Sequence, residues 1–125
     1  MGSEMCIRDS YKSRRFKCGE DMYAAIGVER ENKLGRMMQF AQNFEFFGAP
    51  VGLFFSIDRS FNQPQWAHLG MFMQTFMLLA QEQGLATCAQ EAWSVMYKTA
   101  ANFLEMPDEH MLYCGMALGL SLIHI

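Results

Sequence analysis

The feature that most constrains this chain is the run WAHLGMFMQTFMLLAQEQ, residues 66–83, which stops at Gly84. Trp66, Leu69, Met73, Met77 and Ala80 recur at helical spacing, and Phe72, Phe76 and Leu79 widen the stripe until most of the helix is apolar. Such a helix needs cover on nearly every side. In a chain of 125 residues that cover calls for a second subunit as well as the chain's own sheet. Gly84 marks a helix stop, and the small residues after it, LATCAQEAW, lead into a further helix. That arrangement presents backbone N–H groups at a helix start, a site suited to an electron-rich ligand edge.

One domain at most fits this length, and a chain 51% hydrophobic and 18% charged has ample material for a core. The net charge of −3 gives no footprint for nucleic acid, and Arg14 and Arg15 stand in too short a basic run to act as a patch. Twelve Met and eleven Phe suggest a deformable apolar interior or interface. No apolar run reaches the roughly 20 residues a membrane span requires, since MFMQTFMLLA is interrupted by Gln74.

Both ends read as foreign sequence. Met5 to Ser10 can be encoded by ATG TGT ATA AGA GAC AG plus one base, and Leu120 to His124 by CTG TCT CTT ATA CAC. The two strings are reverse complements over their shared length and look like a transposon end used to fragment DNA for sequencing. Residues 1–10 and 120–125 are therefore read as non-native and adapter-derived, which removes Cys6 and His124 from any metal or redox account. Cys18, Cys88 and Cys114 remain, an odd number without paired spacing. They are expected as small buried hydrophobes in a reducing, cytoplasmic setting rather than as a disulfide framework.

Along the native part, helices are expected over about Arg14 to Ile26, with Gly27 as C-cap, and over about Glu31 to Phe44. The second would bury Leu34, Met38, Ala41 and Phe44 and point Arg30, Lys33 and Arg36 to solvent. Pro50 opens VGLFFSID, a continuous apolar run that reads as a strand buried on both faces. Arg59 to Gln65 is a loop. A helix from about Gln90 to Leu104 would turn Trp93, Met96, Ala100, Phe103 and Leu104 inward and end before Pro107. HMLYCGMALG is the next strand, with His110 at its start as a surface or edge residue. Neither His68 nor His110 has a metal-ligating partner or a Ser or Asp at local catalytic spacing, so no metal is expected and any triad would be non-local.

NFEFFGAPVGLFFSIDRS, QWAHLGMFMQTFMLLAQEQGLATCAQEAW and FLEMPDEHMLYCGMALG, in this order and spacing, resemble the C-terminal half of the FMN-dependent nitroreductase family. The resemblance covers residues 11–119 and implies an α+β fold, a fragment of a three-layer sandwich with mixed sheet strands and a long central helix. It further implies FMN as cofactor, NAD(P)H (NADH or NADPH) as hydride donor, and ping-pong reduction of nitroaromatic, quinone or similar electron-poor substrates in a homodimer. Because the cofactor carries the chemistry, no catalytic side chain is implied. The family's flavin-edge turn falls on Ala89, Gln90, Glu91 and Ala92, with the amides of Glu91 and Ala92 directed at the N5/O4 edge, where electron density accumulates on reduction. Glu91 is also an ordinary first-turn helix acid. Many relatives have Pro where Ala89 stands, a departure that loosens the turn. Phe61 and Trp66 fall on the substrate side.

The family's phosphate-binding arginines precede residue 11 and its closing basic segment follows residue 119, so the isolated product is expected to bind FMN poorly or not at all. Same-fold dehalogenating or flavin-fragmenting enzymes, and a non-catalytic helical binding module with a Met-rich apolar groove, are the alternatives.

Overall fold

The computed structural model describes residues 2–121 and forms two compact units, one up to Ala41 and one from Gln42 onward. The expected adapter-derived residues 122–125, including His124, lie outside the described part.

The first unit is two helices, α1 (Gly2–Ala25) and α2 (Lys33–Ala41). The helix expected from Arg14 thus begins earlier, inside the stretch read as foreign. It ends near the expected place. Gly27, at φ +71°, lets the Gly27 and Val28 amides double back onto the carbonyls of Ala24 and Tyr23, at 3.1 and 2.9 Å. Asn32 starts α2 by accepting the Gly35 N–H on its Oδ1 at 2.8 Å.

One of the charges expected to face solvent is instead half-buried. Arg36 donates to Glu20 at 2.8 Å and lies 4.2 Å from the Tyr23 ring centroid, while Arg30 stays exposed and sits over Phe16. These partners come from another helix, which helical spacing alone could not reveal. Leu34 and Met38, expected inside, are exposed.

The hydrogen bond from Arg36 holds the Glu20 carboxyl below the usual carboxylate range, and the Arg36 guanidinium is raised in turn. A depressed carboxyl stabilises the fold above its unfolded pKa, and that contribution is lost as pH falls through the folded value. Acidification through and below the ordinary carboxylate range should therefore lower the protection of the α2 amides, measured as exchange relative to the unstructured-peptide rate at the same pH. Glu20→Gln should abolish that pH dependence in the same exchange measurement.

The second unit is built on a three-stranded sheet in the order β1-β3-β2, with β1 at Val51–Asp58, β2 at Ala86–Gln90 and β3 at His110–Gly119. Both pairings are antiparallel, so the sheet of the described residues is not the mixed one expected. α3 (Gln63–Glu82) connects β1 to β2; a 3-10 segment (Glu91–Met96) and α4 (Tyr97–Phe103) connect β2 to β3. The single helix expected over Gln90 to Leu104 is thus a strand end, a 3-10 segment and a short α-helix. Five residues, ATCAQ, are too few to show a period, and pairing with β3 decides their conformation.

Alternation along β3 assigns the layers. Cys114 and Met116 face α3 and pack with Phe55 and Met73, flanked by Leu69, Phe76 and Met77. Gly115 faces the other way, beneath the Trp93 side chain of the 3-10 segment. The unit is therefore helix, sheet, helix.

The inward stripe of α3 matches the expected one from Leu69 to Ala80, with Met73 and Ala80 buried, but Trp66 at its start is exposed, as are Phe72 and Leu79 beside Met71 and Leu78. In α4 the buried residue is Ala100, whereas Phe103, expected inside, is 84% exposed. Of Cys18, Cys88 and Cys114, the last is buried and the other two are exposed. Burial pushes the Cys114 thiol up, against the opposing effect of a hydrogen bond from the Gln90 backbone, so this sulfur behaves as an inert apolar group.

Met116 is fully buried at the centre of this core. Met116→Ala should destabilise the fold by about 2–5 kcal/mol in chemical denaturation, the cost of lost apolar contact plus the cavity left behind.

Candidate functional site

The end of α3 builds the expected turn. Gly84 adopts φ +73°, its N–H bonds the Gln81 carbonyl at 3.0 Å, and the Leu85 N–H returns to Ala80 at 2.9 Å. This left-handed stop satisfies the last carbonyls of the helix and turns the chain into β2. β2 then runs beside β3, from Ala86 opposite Gly119 to Gln90 opposite Gly115.

The four residues named from the sequence are contiguous across a change of structure. Ala89 and Gln90 end the strand, and Glu91 and Ala92 open the 3-10 segment. As the first two residues of a helical segment, Glu91 and Ala92 have amides without an intrahelical acceptor. Neither appears as a donor among the turn and loop backbone bonds of the described residues. Ala89 and Glu91 are exposed, Ala92 is half-buried and Gln90 is 2% exposed. Both polar atoms of the Gln90 carboxamide, and the Trp93 indole N–H, are buried without a hydrogen-bond partner in the described structure. Such groups are uncommon in folded proteins and point to a site where polar chemistry is concentrated.

Trp93 anchors the turn. Its ring stacks on Phe46 at 5.1 Å and meets Phe54 and Phe44 edge-on at 4.9 and 5.3 Å. Its Cδ1 and Nε1 fill the place a side chain on Gly115 would take. Phe46 likewise fills the place of a side chain on Gly52. To reach it, Phe46 and Phe47 adopt φ of 51° and 52°, left-handed values that bulky residues rarely take.

Beside the turn lies a cavity of about 680 Å³, within the size range of small-molecule sites, floored by Ala86, Cys88, Ala117 and Gly119 and walled by Phe46, Phe47 and Pro50. Leu120 and Ser121 close one side. The cavity has no methionine in its lining, unlike the Met-rich groove considered from composition. Neither Glu91 nor Ala92 lines it. It approaches them through Cys88, which shares a strand face with Gln90.

Phe61 and Trp66 stand apart from this cluster. Phe61 is half-exposed in the loop before α3, and Trp66 lies near the start of α3, which covers the opposite face of the sheet from Trp93. None of the described hydrogen bonds or ring contacts joins either residue to the turn.

His110 does have a non-local partner. Its Nδ1 lies 3.1 Å from the Ser56 hydroxyl across the β1–β3 pairing, next to the register shift between Phe55 and Ser56. Asp58, opposite His110, instead accepts from the Ser60 N–H and hydroxyl, which hold its carboxyl below the usual range. No Asp–His–Ser relay is formed. No cluster of metal-ligating side chains occurs among the described residues, and none of their helices is long and apolar enough to cross a membrane.

The sequence model of the nitroreductase family matches residues 14–120. The chain is 38% identical over 109 residues to a 4-nitrobenzoate reductase of Pseudomonas putida, covering 87% of this chain and 48% of that protein. It is 38% identical over 113 residues to a nitrobenzene nitroreductase of Ectopseudomonas oleovorans, covering 90% of this chain and 50% of the relative. Among solved structures, the FMN and NADPH-dependent nitroreductase NfnB from sphigopyxis sp. strain HMH superposes with a TM-score of 0.89 at 44% identity, over 93% of this chain and 52% of that one. NfnB from Mycobacterium smegmatis, at 24% identity, shares the fold with a TM-score of 0.83, over 90% of this chain and 50% of that one. A half-sandwich with an amide-bearing turn past a long central helix is thus a nitroreductase-type α+β arrangement. The chain belongs to the nitroreductase family, and it spans about half the length of the relatives it matches.

The aromatic cage and Gly115 were not singled out from the sequence, although one signal was available. A glycine inside the apolar strand HMLYCGMALG indicates close approach by another group. The buried carboxamide yields a test. Gln90→Met removes two unpartnered polar atoms at similar volume and should raise the stability of this chain by about 1–3 kcal/mol in thermal or urea unfolding.

Proposed function

We propose that this chain is the flavin-edge half of an FMN-dependent NAD(P)H oxidoreductase that reduces nitroaromatic compounds, with quinones and similar electron-poor rings as further substrates. The observation that carries this reading is the pair of backbone amides at Glu91 and Ala92, without an acceptor among the turn and loop backbone bonds of the described residues, at the strand end beside the buried Gln90 carboxamide. These residues suit an isoalloxazine edge. Two N–H donors meet an electron-rich rim, a carboxamide offers one donor and one acceptor, and the small Ala92 side chain permits close approach of the backbone.

Bound FMN supplies two-electron hydride chemistry between a nicotinamide and an electron-poor ring. The chain's part is to orient. The Glu91 and Ala92 amides would fix the plane of the ring and favour negative charge at its edge. Nicotinamide and nitro substrate would use one flat apolar slot in turn, a ping-pong order. The relatives' names support this reading: NfnB of sphigopyxis sp. strain HMH is described as FMN and NADPH-dependent, and the Pseudomonas putida relative as a 4-nitrobenzoate reductase.

The reading extends to assembly, with residues 11–119 as the native portion. Met71, Phe72, Leu78 and Leu79 form an exposed apolar face on α3, which a homodimer would cover. Phe61 and Trp66, removed from the turn within one chain, would then serve the substrate side from a subunit boundary. The two exposed thiols, Cys18 and Cys88, suit a reducing cytoplasmic setting.

The whole protein should show bound-flavin absorbance and oxidise NADPH or NADH when 4-nitrobenzoate or nitrobenzene is supplied. A colourless protein that takes up no added FMN would overturn the reading. Ala92→Val should weaken FMN binding about tenfold, equivalent to roughly 1.4 kcal/mol, while leaving the far-UV circular dichroism spectrum intact; an unchanged affinity would remove the turn from the site.

A further inference from the structure

The two residues that bracket Glu91 and Ala92 are both secured to Gly115. On one side, Gln90 is the last paired residue of β2 and stands directly opposite Gly115. On the other, the Trp93 ring lies against the Gly115 backbone, with its Nε1 2.9 Å from where a Cβ would be and its Cδ1 closer still. The segment between these two attachments is two residues long. Fixing both ends of so short a segment restricts the orientation of its peptide planes, and hence the directions of the two N–H groups. The ring has little room to move elsewhere, because Phe44, Phe46 and Phe54 surround it. Gly115 is itself buried in the central strand, with Phe54 opposite it on the β1 side.

We propose that Gly115 and Trp93 are positioning residues. By admitting the indole ring onto the strand backbone, Gly115 closes a clamp that aims the Glu91 and Ala92 amides. The functional meaning of the clamp rests on the flavin reading, but its mechanical content does not. A methyl group at Gly115 would collide with Trp93 and push the ring outward, and truncating the indole would leave the segment without its second attachment. Both changes break the same contact, so their effects should not add.

The test is a double-mutant cycle on the full chain with Gly115→Ala, Trp93→Leu and the pair, read by backbone amide NMR order parameters at Glu91 and Ala92 and by FMN titration. Each single variant should lower the order parameters at these two amides from the rigid range of about 0.85 toward the flexible range below about 0.6 while Cys114 and Met116 stay rigid, and the double should match the larger single effect rather than add to it. Where FMN binds, affinity should fall in the same non-additive pattern. Unchanged order parameters at Glu91 and Ala92 in Trp93→Leu, or effects that add in the double variant, would overturn the clamp. Should Gly115→Ala not fold, Trp93→Leu alone decides by the same criterion. If the order parameters respond as expected but FMN binds neither this chain nor the whole protein, the flavin reading fails and the clamp stands. If FMN binds and the order parameters do not respond, the clamp fails and the flavin reading stands.

Discussion

The pairing of β3 along both of its edges is the constraint on which the second unit depends. β3 pairs with β1 between His110 and Leu118 and with β2 between Gly115 and Gly119, and its two faces are covered by different layers. Cys114 and Met116 give α3 its docking surface, while Gly115 between them carries no side chain and admits Trp93. The alternation of large and absent side chains on consecutive residues therefore builds both layers. It also explains why β2 exists at all. Ala86 to Gln90 have weak intrinsic strand preference, and the open edge of a strand buried on both faces recruits them.

From that strand the route to the proposed chemistry is short. The left-handed stop at Gly84 sends the chain into β2, the strand ends opposite Gly115, and the first two amides beyond it have no acceptor among the turn and loop backbone bonds of the described residues. A nitroreductase-type site needs little else from this half of the fold. The reactive electrons reside on a cofactor, so the protein is asked for donors in fixed directions and a flat apolar approach, not for an acid and a base. Such a site needs no ionisable relay.

Much of this was legible in the residues. The helical stripe of α3, the apolar runs of β1 and β3 and the glycine stops at Gly27 and Gly84 are local signals, and they match the structure to within a few residues at most boundaries. What could not be read depends on partners distant in sequence. ATCAQ is a strand only because β3 lies beside it. Arg36 meets Glu20 because two helices pair, and His110 reaches Ser56 because β1 and β3 lie in register. The left-handed Phe46 and Phe47 are understandable only once Trp93 and Gly52 are seen to receive the Phe46 ring. The four turn residues follow from family resemblance, whereas periodicity alone places Gln90, Glu91 and Ala92 at the start of a helix and leaves Ala89 before it.

The outward face of α3 carries one further consequence. Met71, Phe72, Leu78 and Leu79 keep more than half of their surface in water after the chain has folded, so in an isolated copy much of their apolar area contributes nothing to the free-energy difference between native and denatured states. Anything that covers them binds only the native state, and mass action then makes the melting temperature depend on how much of that covering species is present. If the cover is another copy of the same chain, dilution by itself becomes a denaturant.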